Sequence, residues 1–597
     1  MLNAWPVGST AHWRILDTDF GGGQHFLATW QTWKAGTEPS VSRPSLLHYC
    51  AFTPQAPSAA TLLNHTASSP ELTALAETLA VQWHGLQPGF HRISLEGGHV
   101  LLTLCVGELK AVLRELTFTA DSVVLAGIGK SWDIHTVKAI ARCCQRGTRI
   151  VAEHVPENIQ NALLQCGFVQ GEPSLHSVYN PPWEPKKRST VSQPVQIGTC
   201  AVIGAGLAGA AVANSLARRG WQVTVLDAAA QPAQGASGIP AGLAVPHVSP
   251  DDSVLSRLSR SGVRITLQQA QALLVAGVDW QCSGVLEHRV DGSPGLPTHA
   301  EIDMTWSRPA TTAQLHAAQL SSDDKAIWHD YAAWIKPAAL VAALLKHPNI
   351  SLQANSHVSS MQSIQQSIQV KDTEMETAQW QLRDEAGKLL AQAQLVVVAA
   401  AYASQHLVAA LPLQAIRGQI SWGMHPRTPL QVTPPHAPFP PFPVNGYGSL
   451  IPWIPMAEGM AWAVGATFER DQADTQSSAE TTAHRHADNQ IRLSKLLPRV
   501  ATQFSVNSAN SVNRPASHAF VGIRCVSPDR LPMSGPLVTL TYKKDLWLST
   551  AMGSRGLSFA LLCAELLAAR LHGEPWPIEK RLGQALDPER FTHRPKK

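Results

Sequence analysis

The sequence predicts an α/β protein made of two separate strand–helix layers. Three observations lead there. Strand-like and helix-like stretches alternate through the first 175 residues and again from Cys200 onward. A proline- and charge-rich segment, Tyr179 to Pro194, separates the two patterns. The 597 residues also exceed what one core usually holds, since single cores stop growing at about 250–300 residues. Alternation of this kind places helices on the faces of a mostly parallel sheet.

The first layer opens on HWRILDTDF, a strand. Gly21, Gly22 and Gly23 follow it, and then a helix through Trp33. Strand, glycines and helix in that order have the shape of a nucleotide-binding loop. SLLHYCAFT is a second strand, and HRISLEGGHVLLTLCVGE reads as a hairpin turning at Gly97-Gly98. DSVVLAGIG is a buried strand, DIHTVKAIARCCQRG a helix stopped at Gly147, TRIVAEHV a strand and PENIQNALLQCGF a helix. In the linker, Lys186, Lys187 and Arg188 read as a solvated face, with contact to a polyanion as the alternative. Farther on, TPLQVTPPHAPFPPFP is too proline-dense for a central strand and is expected at an edge or surface loop.

Composition narrows the class. Hydrophobic residues make up 44% and charged residues 15%, as in a globular chain. A net charge of +4 creates no large field, although a local basic patch is compatible with it. The nine cysteines form no CxxC and no Cys/His ligand spacing, so neither a zinc site nor a disulfide framework is expected, and no metal. A reduced, cytoplasmic setting and a monomer fit this reading. The N-terminus lacks a basic-then-apolar signal pattern, and no apolar run approaches the roughly 18 residues of a membrane span.

The most informative stretch is CAVIGAGLAGAAVANSLARRGWQVTVLDA. A short apolar strand leads into Gly204, Gly206 and Gly209, which fill GxGxxG. A helix runs to Gly220, and a second strand ends at Asp227. Gly204 allows the tight turn, Gly206 lets the backbone approach a pyrophosphate, and Gly209 lets helix pack on strand. The helix N-terminus offers N–H groups and partial positive charge to phosphates, and Asp227 is placed for ribose hydroxyls. A bare GxGxxG is weak evidence, but here strand, helix, second strand and terminal acid agree. The fingerprint alone leaves FAD and NAD both open.

Downstream motifs narrow that choice. GASGIPAGLAVPHVS (Gly235 to Ser249) follows the acid directly, a small-residue loop suited to lie along a flavin. LVVVAAAYAS, RGQIS, VGIRCVSPDRLPMSGP and GSRGLSFALLCAELLAARLHGEPWP come later. In this order they resemble the glycine oxidase and D-amino-acid oxidase group of FAD enzymes. Together with PGFHR in the first layer and LHGEPWPIEKRLGQALDPERF near the end, they resemble the MnmC family of bifunctional tRNA-modifying enzymes. The likeness is dense from residue 200 onward and thin before it.

That resemblance implies a Rossmann-like SAM-methyltransferase-type domain over residues 1–175 and a linker over 176–196. Residues 197–597 then form a two-domain FAD oxidoreductase of the glycine oxidase/D-amino-acid oxidase type. Its nucleotide parts are expected at about 197–260, 335–410 and 520–597, and its substrate parts at 261–334 and 411–519. The implied cofactor is FAD, with S-adenosylmethionine an open question, and the implied partner is tRNA at its wobble uridine. The implied reaction removes the carboxymethyl group from 5-carboxymethylaminomethyluridine and leaves aminomethyluridine and glyoxylate. Cofactor contacts are expected from Gly204, Gly206, Gly209, Asp227, Gly235, Ser237, Gly238, Gly553, Gly556 and Leu557. Arg524 occupies the position of a carboxylate-binding arginine, and Arg555 lies beside the turn near the flavin ring. Arginine suits such a role because its planar fork matches a carboxylate.

The first layer departs from the family pattern. Where the family has GFGTG, the chain reads Phe20-Gly21-Gly22-Gly23-Gln24. No acid follows HYCAF, where the family holds the SAM ribose, although Glu108 remains near the adenine position. Ala126 stands where the family's catalytic Asp precedes Gly-Phe, and no Asn-Pro follows. Asp133 reads as a helix N-cap. These departures suggest a domain that keeps its fold and has lost methyl transfer. The competing readings are a fully bifunctional enzyme, an oxidase of free glycine or sarcosine, and a non-catalytic flavin- and tRNA-binding module.

Overall fold

The computed structural model describes residues 12–36, 43–67, 69–129, 131–152, 154–170, 176–185, 195–293, 295–297, 305–370, 373–425, 439–502, 517–537 and 545–591. Lys186, Lys187, Arg188 and most of the proline-rich stretch after Thr428 lie outside the described residues. The chain divides into two compact units. One is Met1–Gln196 with Glu565–Gln584, and the other is Ile197–Ala564 with Ala585–Lys597. The segment 565–584, expected with the oxidoreductase, therefore groups with the N-terminal unit.

The first unit is built on eight strands. They are β1 (His12–Asp17), β2 (Leu46–Thr53), β3 (Gly89–Leu95), β4 (Val100–Val106), β5 (Ala120–Leu125), β6 (Cys144–Ala152), β7 (Phe168–Gln170) and β8 (His176–Tyr179). Their order is β3-β4-β2-β1-β5-β6-β8-β7. From β4 to β6 all neighbours are parallel, while β3, β7 and β8 join antiparallel. Residues alternate between two cores, one on each face. Ile15, Tyr49 and Leu104 belong to the core that holds Phe26, Leu27 and Trp30, and Leu16, Cys50 and Cys105 to the one with Leu113, Phe118 and Ile140. This period of two is the strand signature.

After β1 the chain turns at Gly23 (φ +83°), a left-handed position that favours glycine, into helix α1 (Gln24–Ala35). The helix expected to run to Gly147 is shorter, Ile134–Ala141, which we label α2. Thr148 explains the difference. Its hydroxyl donates to Ala120 O at 2.6 Å and accepts from Gln145 N at 2.9 Å, drawing Cys144–Gly147 into β6. Asp133 caps α2 as expected and accepts from Thr136 N at 2.8 Å.

The second unit's main strands, in chain order, are β9 (Thr199–Ile203), β10 (Gln222–Leu226), β11 (Val285–His288), β12 (Ala326–His329), β13 (Ile350–Gln353), β14 (Leu395–Val398), β15 (Gln414–Met424), β16 (Val444–Gly446), β17 (Gly448–Met456), β18 (Gly459–Gly465), β19 (Glu469–Arg470), β20 (His518–Val526), β21 (Met533–Pro536) and β22 (Leu546–Thr550). One sheet has the order β13-β10-β9-β14-β22-β21 and is parallel except for β21. Helix α3 (Leu207–Ala217) connects β9 to β10, and its small residues are almost all buried. A second sheet carries β12-β11-β16-β17-β18-β15-β19, with β20 on the free side of β15. By sequence, β20 was expected in the nucleotide part. It belongs to the second sheet because it pairs with β15 through nine residues, from Gln414↔Val526 to Trp422↔His518.

Among the described residues no helix is long and apolar enough to cross a membrane.

Candidate active site

The turn after β9 holds the glycines that the sequence singled out. Gly204 has φ +107°, and a Cβ on it would sit 2.7 Å from Ala399 O at the end of β14. On Gly209, a Cβ would fall on Gly204 O, so α3 can lie on the turn only if position 209 has no side chain. Gly206 is the N-cap of α3 and has no side-chain cap of its own. Ser237 acts from outside, its Oγ accepting from Leu207 N at 3.0 Å. Asp227, just past β10, accepts from Ala205 N at 2.5 Å and Ala229 N at 2.8 Å, which ties the glycine turn to the second strand. A bare turn, a helix N-terminus capped only from a neighbouring loop and a carboxylate at the next strand end fit a dinucleotide, with the pyrophosphate at the helix end.

The loop Gly235–Gly238 reaches β20. A Cβ on Gly522 would come within 3.3 Å of Ala236 Cα, and one on Gly238 would meet Ala233 O at 2.7 Å and the Phe520 ring at 3.2 Å. Two residues beyond Gly522 is Arg524. Its guanidinium lies over Gly418 of β15, with Nη2 2.5 Å from where a Cβ would stand, and Nη1 donates to Thr467 O at 3.3 Å. Among the described residues it meets no carboxylate. Burial, and then the charge of Arg492, hold its pKa below the ordinary arginine value. The Gly553 turn is tied to the same strand, Gly553 N donating to Cys525 O at 2.8 Å. Arg555 follows, half-buried, with its pKa lowered by burial and by Arg530 and partly restored by Glu287. The helix Gly556–His572 starts there, and Leu557 packs where a Cβ on Gly242 would be, 3.0 Å away. The dinucleotide turn, the Gly235–Gly238 loop, Arg524 and the Gly553–Leu557 turn thus converge on one region of the second unit.

Residues 199–570 match the family of FAD dependent oxidoreductases. Over almost its whole length the chain also matches curated bacterial proteins. A protein of Polaromonas sp. (strain JS666) is 48% identical over 610 residues, covering 97% of this chain and 90% of its own. The corresponding figures are 47%, 99% and 92% for one from Polaromonas naphthalenivorans. For one from Paracidovorax citrulli they are 45%, 98% and 93%. Each is named tRNA 5-methylaminomethyl-2-thiouridine biosynthesis bifunctional protein MnmC. The chain belongs to the MnmC family. Its second unit is an FAD-dependent oxidoreductase, and the family and fold class expected from sequence are borne out. Among solved structures, glycine oxidase from Geobacillus kaustophilus is 17% identical with a TM-score of 0.46, over 63% of this chain and 94% of that one.

Several polar residues of this MnmC-family chain escaped sequence reading. Glu287 of β11 sits between His329 (Nε2 to Oε2 3.1 Å) and Arg289 (Nη1 to Oε1 2.5 Å), and His329 Nδ1 lies 2.8 Å from Ser307 Oγ. Burial alone would raise the Glu287 pKa, but the bonds and charges of His329 and Arg289 hold it at about 2. His247 is half-buried, and burial and then the charge of Arg555 lower its pKa. None of these residues forms a spacing motif; only the alternate positions of Glu287 and Arg289 in LEHR hinted at a shared strand face.

In the first unit the β1 turn faces β5. Thr18 Oγ1 donates to Ala126 O at 2.8 Å and accepts from Ala126 N at 2.9 Å. Asp17 accepts from Tyr49 Oη at 2.6 Å. Glu108 caps the helix Leu109–Glu115 and accepts from Lys110 N and Ala111 N. Asp19 lies beside Gly127, the residue after Ala126, for a Cβ on Gly127 would lie 2.6 Å from its Oδ2. A cavity of about 340 Å³ opens here, lined by His25, Thr29, Thr32, Ala126, Gly127 and His154 among others, with no acid among its described lining residues. Elsewhere in this unit His12, His48 and Glu574 come together, with nitrogen–oxygen separations of 3.3 and 3.4 Å. They form a possible ligand group that no local spacing announces, because the three residues are far apart in sequence.

Proposed function

We propose that the chain modifies the wobble uridine of tRNA, removing the carboxymethyl group from 5-carboxymethylaminomethyluridine and releasing glyoxylate. The relatives bear names from this pathway over nearly the full chain. One observation carries the reading. Arg524 is a half-buried guanidinium without a carboxylate partner among the described residues, on the strand that the Gly235–Gly238 loop abuts. Such a group needs an anion, and the substrate's –CH2–NH–CH2–COO⁻ supplies one.

Bound FAD supplies the acceptor for the hydride that leaves the carbon between nitrogen and carboxylate, and water then hydrolyses the resulting C=N bond to the primary amine and glyoxylate. The chain's own residues bind and orient. In this reading Gly204, Gly206, Gly209, Asp227, Gly235, Ser237, Gly238, Gly553, Gly556 and Leu557 line the cofactor. Arg524 fixes the carboxylate and so the direction of the reacting carbon. The positive field of Arg524 and Arg555 favours the neutral over the protonated substrate amine, the form that can release hydride. Residues 1–175 are a methyltransferase-like domain whose methyl transfer is lost with the acid at position 126.

The test is anaerobic flavin bleaching with modified tRNA and with free glycine, supplied separately. Bleaching by the tRNA alone supports the reading, and bleaching by glycine alone makes the chain an amino-acid oxidase. A second reading has a specific observation behind it. Asp19, beside Gly127, offers a carboxylate close to the missing one, and methyl transfer by that acid would make the enzyme fully bifunctional.

A further inference from the structure

We propose that Arg492 and Lys495, gathered around Tyr447, form a docking site for the phosphodiester backbone of the RNA substrate. This rests on the tRNA reading above and adds where the RNA is held.

Helix α4 (Ala479–Leu496) buries Arg485, Asn489, Leu493 and Leu496, which fixes the face it shows outward. Arg492 and Lys495 lie one turn apart beside that buried stripe. Both point over the ring of Tyr447, at 5.3 and 4.9 Å from its centroid. Tyr447 is 44% exposed and forms the tip of the turn between β16 and β17. The turn is held in place by its neighbours. A Cβ on Gly446 would collide with His288 O, and one on Gly448 would touch Arg492 Cβ at 3.6 Å. Arginine and tyrosine are therefore set against each other by the backbone.

Among the described residues neither cation meets a carboxylate. Asp488, one turn before Arg492, is exposed and forms no ion pair with it. Two like charges held together by one aromatic ring call for an anion that spans both. A guanidinium fork, an ammonium and a phenol hydroxyl match the oxygens of adjacent phosphates. The charge of Arg492 is felt at Arg524, so this site lies within electrostatic reach of the proposed carboxylate clamp. A free amino acid is too small to occupy both, whereas a nucleotide loop is large enough.

The test compares Arg492→Ala/Lys495→Ala with wild type on two substrates, carboxymethylaminomethyl tRNA and the free carboxymethylaminomethyl nucleoside. Expected for the variant is at least a tenfold fall in kcat/KM on tRNA, carried by KM. The slope of log kcat/KM against log salt should flatten by about 1.4 for two lost single-strand phosphate contacts. Nucleoside oxidation should stay within about threefold, with full FAD content. Unchanged tRNA kinetics and salt slope would overturn the site. An equal loss on both substrates would also overturn it, since the residues would then serve the chemistry. Wild-type protein that oxidises the nucleoside but neither binds nor oxidises tRNA would instead sink the tRNA reading, and the site with it. Displacement of wild-type activity by an acidic peptide but not by unmodified RNA would assign the patch to a protein partner.

Discussion

Arg524→Lys should leave FAD in place and lower kcat/KM on modified tRNA by roughly ten- to hundred-fold. The size follows from the guanidinium's surroundings. Nη1 is tied to Thr467 O at 3.3 Å, and Nη2 fills the hollow over Gly418. Lysine keeps the charge but loses the planar fork, and a single ammonium cannot hold Thr467 O and grip both carboxylate oxygens in fixed geometry. A lost charge-assisted hydrogen bond typically removes about 1.5–3 kcal/mol, which gives the fold-change just stated. FAD should stay because the exchange keeps the positive charge and alters neither the glycine turn nor Asp227, which belong to strands of the other sheet. The assay is glyoxylate release against tRNA concentration, with flavin absorbance and thermal melting run in parallel. Unchanged kcat/KM would refute the clamp. A fall that tracks a large drop in melting temperature would show that the arginine only holds Thr467 in place.

Gly204→Val should yield protein without flavin, because the left-handed φ and the 2.7 Å approach to Ala399 O leave no room for a side chain; absorbance of the purified variant near 450 nm is the readout, and full yellow colour would overturn the assignment. Glu287→Gln should be less stable than wild type by up to about 3 kcal/mol at neutral pH, since the carboxyl is held at about 2 against an ordinary 4.5. A depressed carboxyl stabilises above its unfolded pKa, so the gap in denaturant midpoints should be full above pH 4.5 and close as pH falls toward 2; a gap independent of pH would mean the charge is not the cause. With oxygen and labelled S-adenosylmethionine, the product should remain the unlabelled aminomethyl nucleoside by mass spectrometry. If label does appear and Asp19→Asn removes it, the acid beside Gly127 has taken over the role.

The glycine turn of the second unit was legible because its residues lie within one contiguous stretch, and local geometry is what a contiguous stretch encodes. Six of the first unit's eight strands were legible as short apolar stretches such as HWRILDTDF, whose Ile15 and Leu16 face opposite cores, whereas β7 and β8 were not read. Strand partnership was harder to read. Nothing within His518–Val526 says that it pairs with Gln414–Met424, and that pairing moves Arg524 to the second sheet. Helix α2 was overextended because Thr148, one polar side chain, decides where β6 begins. Glu287 and His329 stayed hidden because their meaning lies in a pairing across 42 residues.

The grouping of Glu565–Gln584 with the N-terminal unit has a consequence for biosynthesis. Arg92 of that unit donates to Pro575 O, and Arg14 donates to Gly573 O at 3.1 Å. A ribosome delivers these two arginines early and their partners some 480 to 560 residues later. The domain that emerges first is thus completed only near the end of translation, and it must wait, unfinished, while residues 197–564 of the oxidoreductase are translated. Expression of residues 1–196 alone would strand it in that waiting state, so any attempt to separate the two halves should carry the late segment across as a covalent graft.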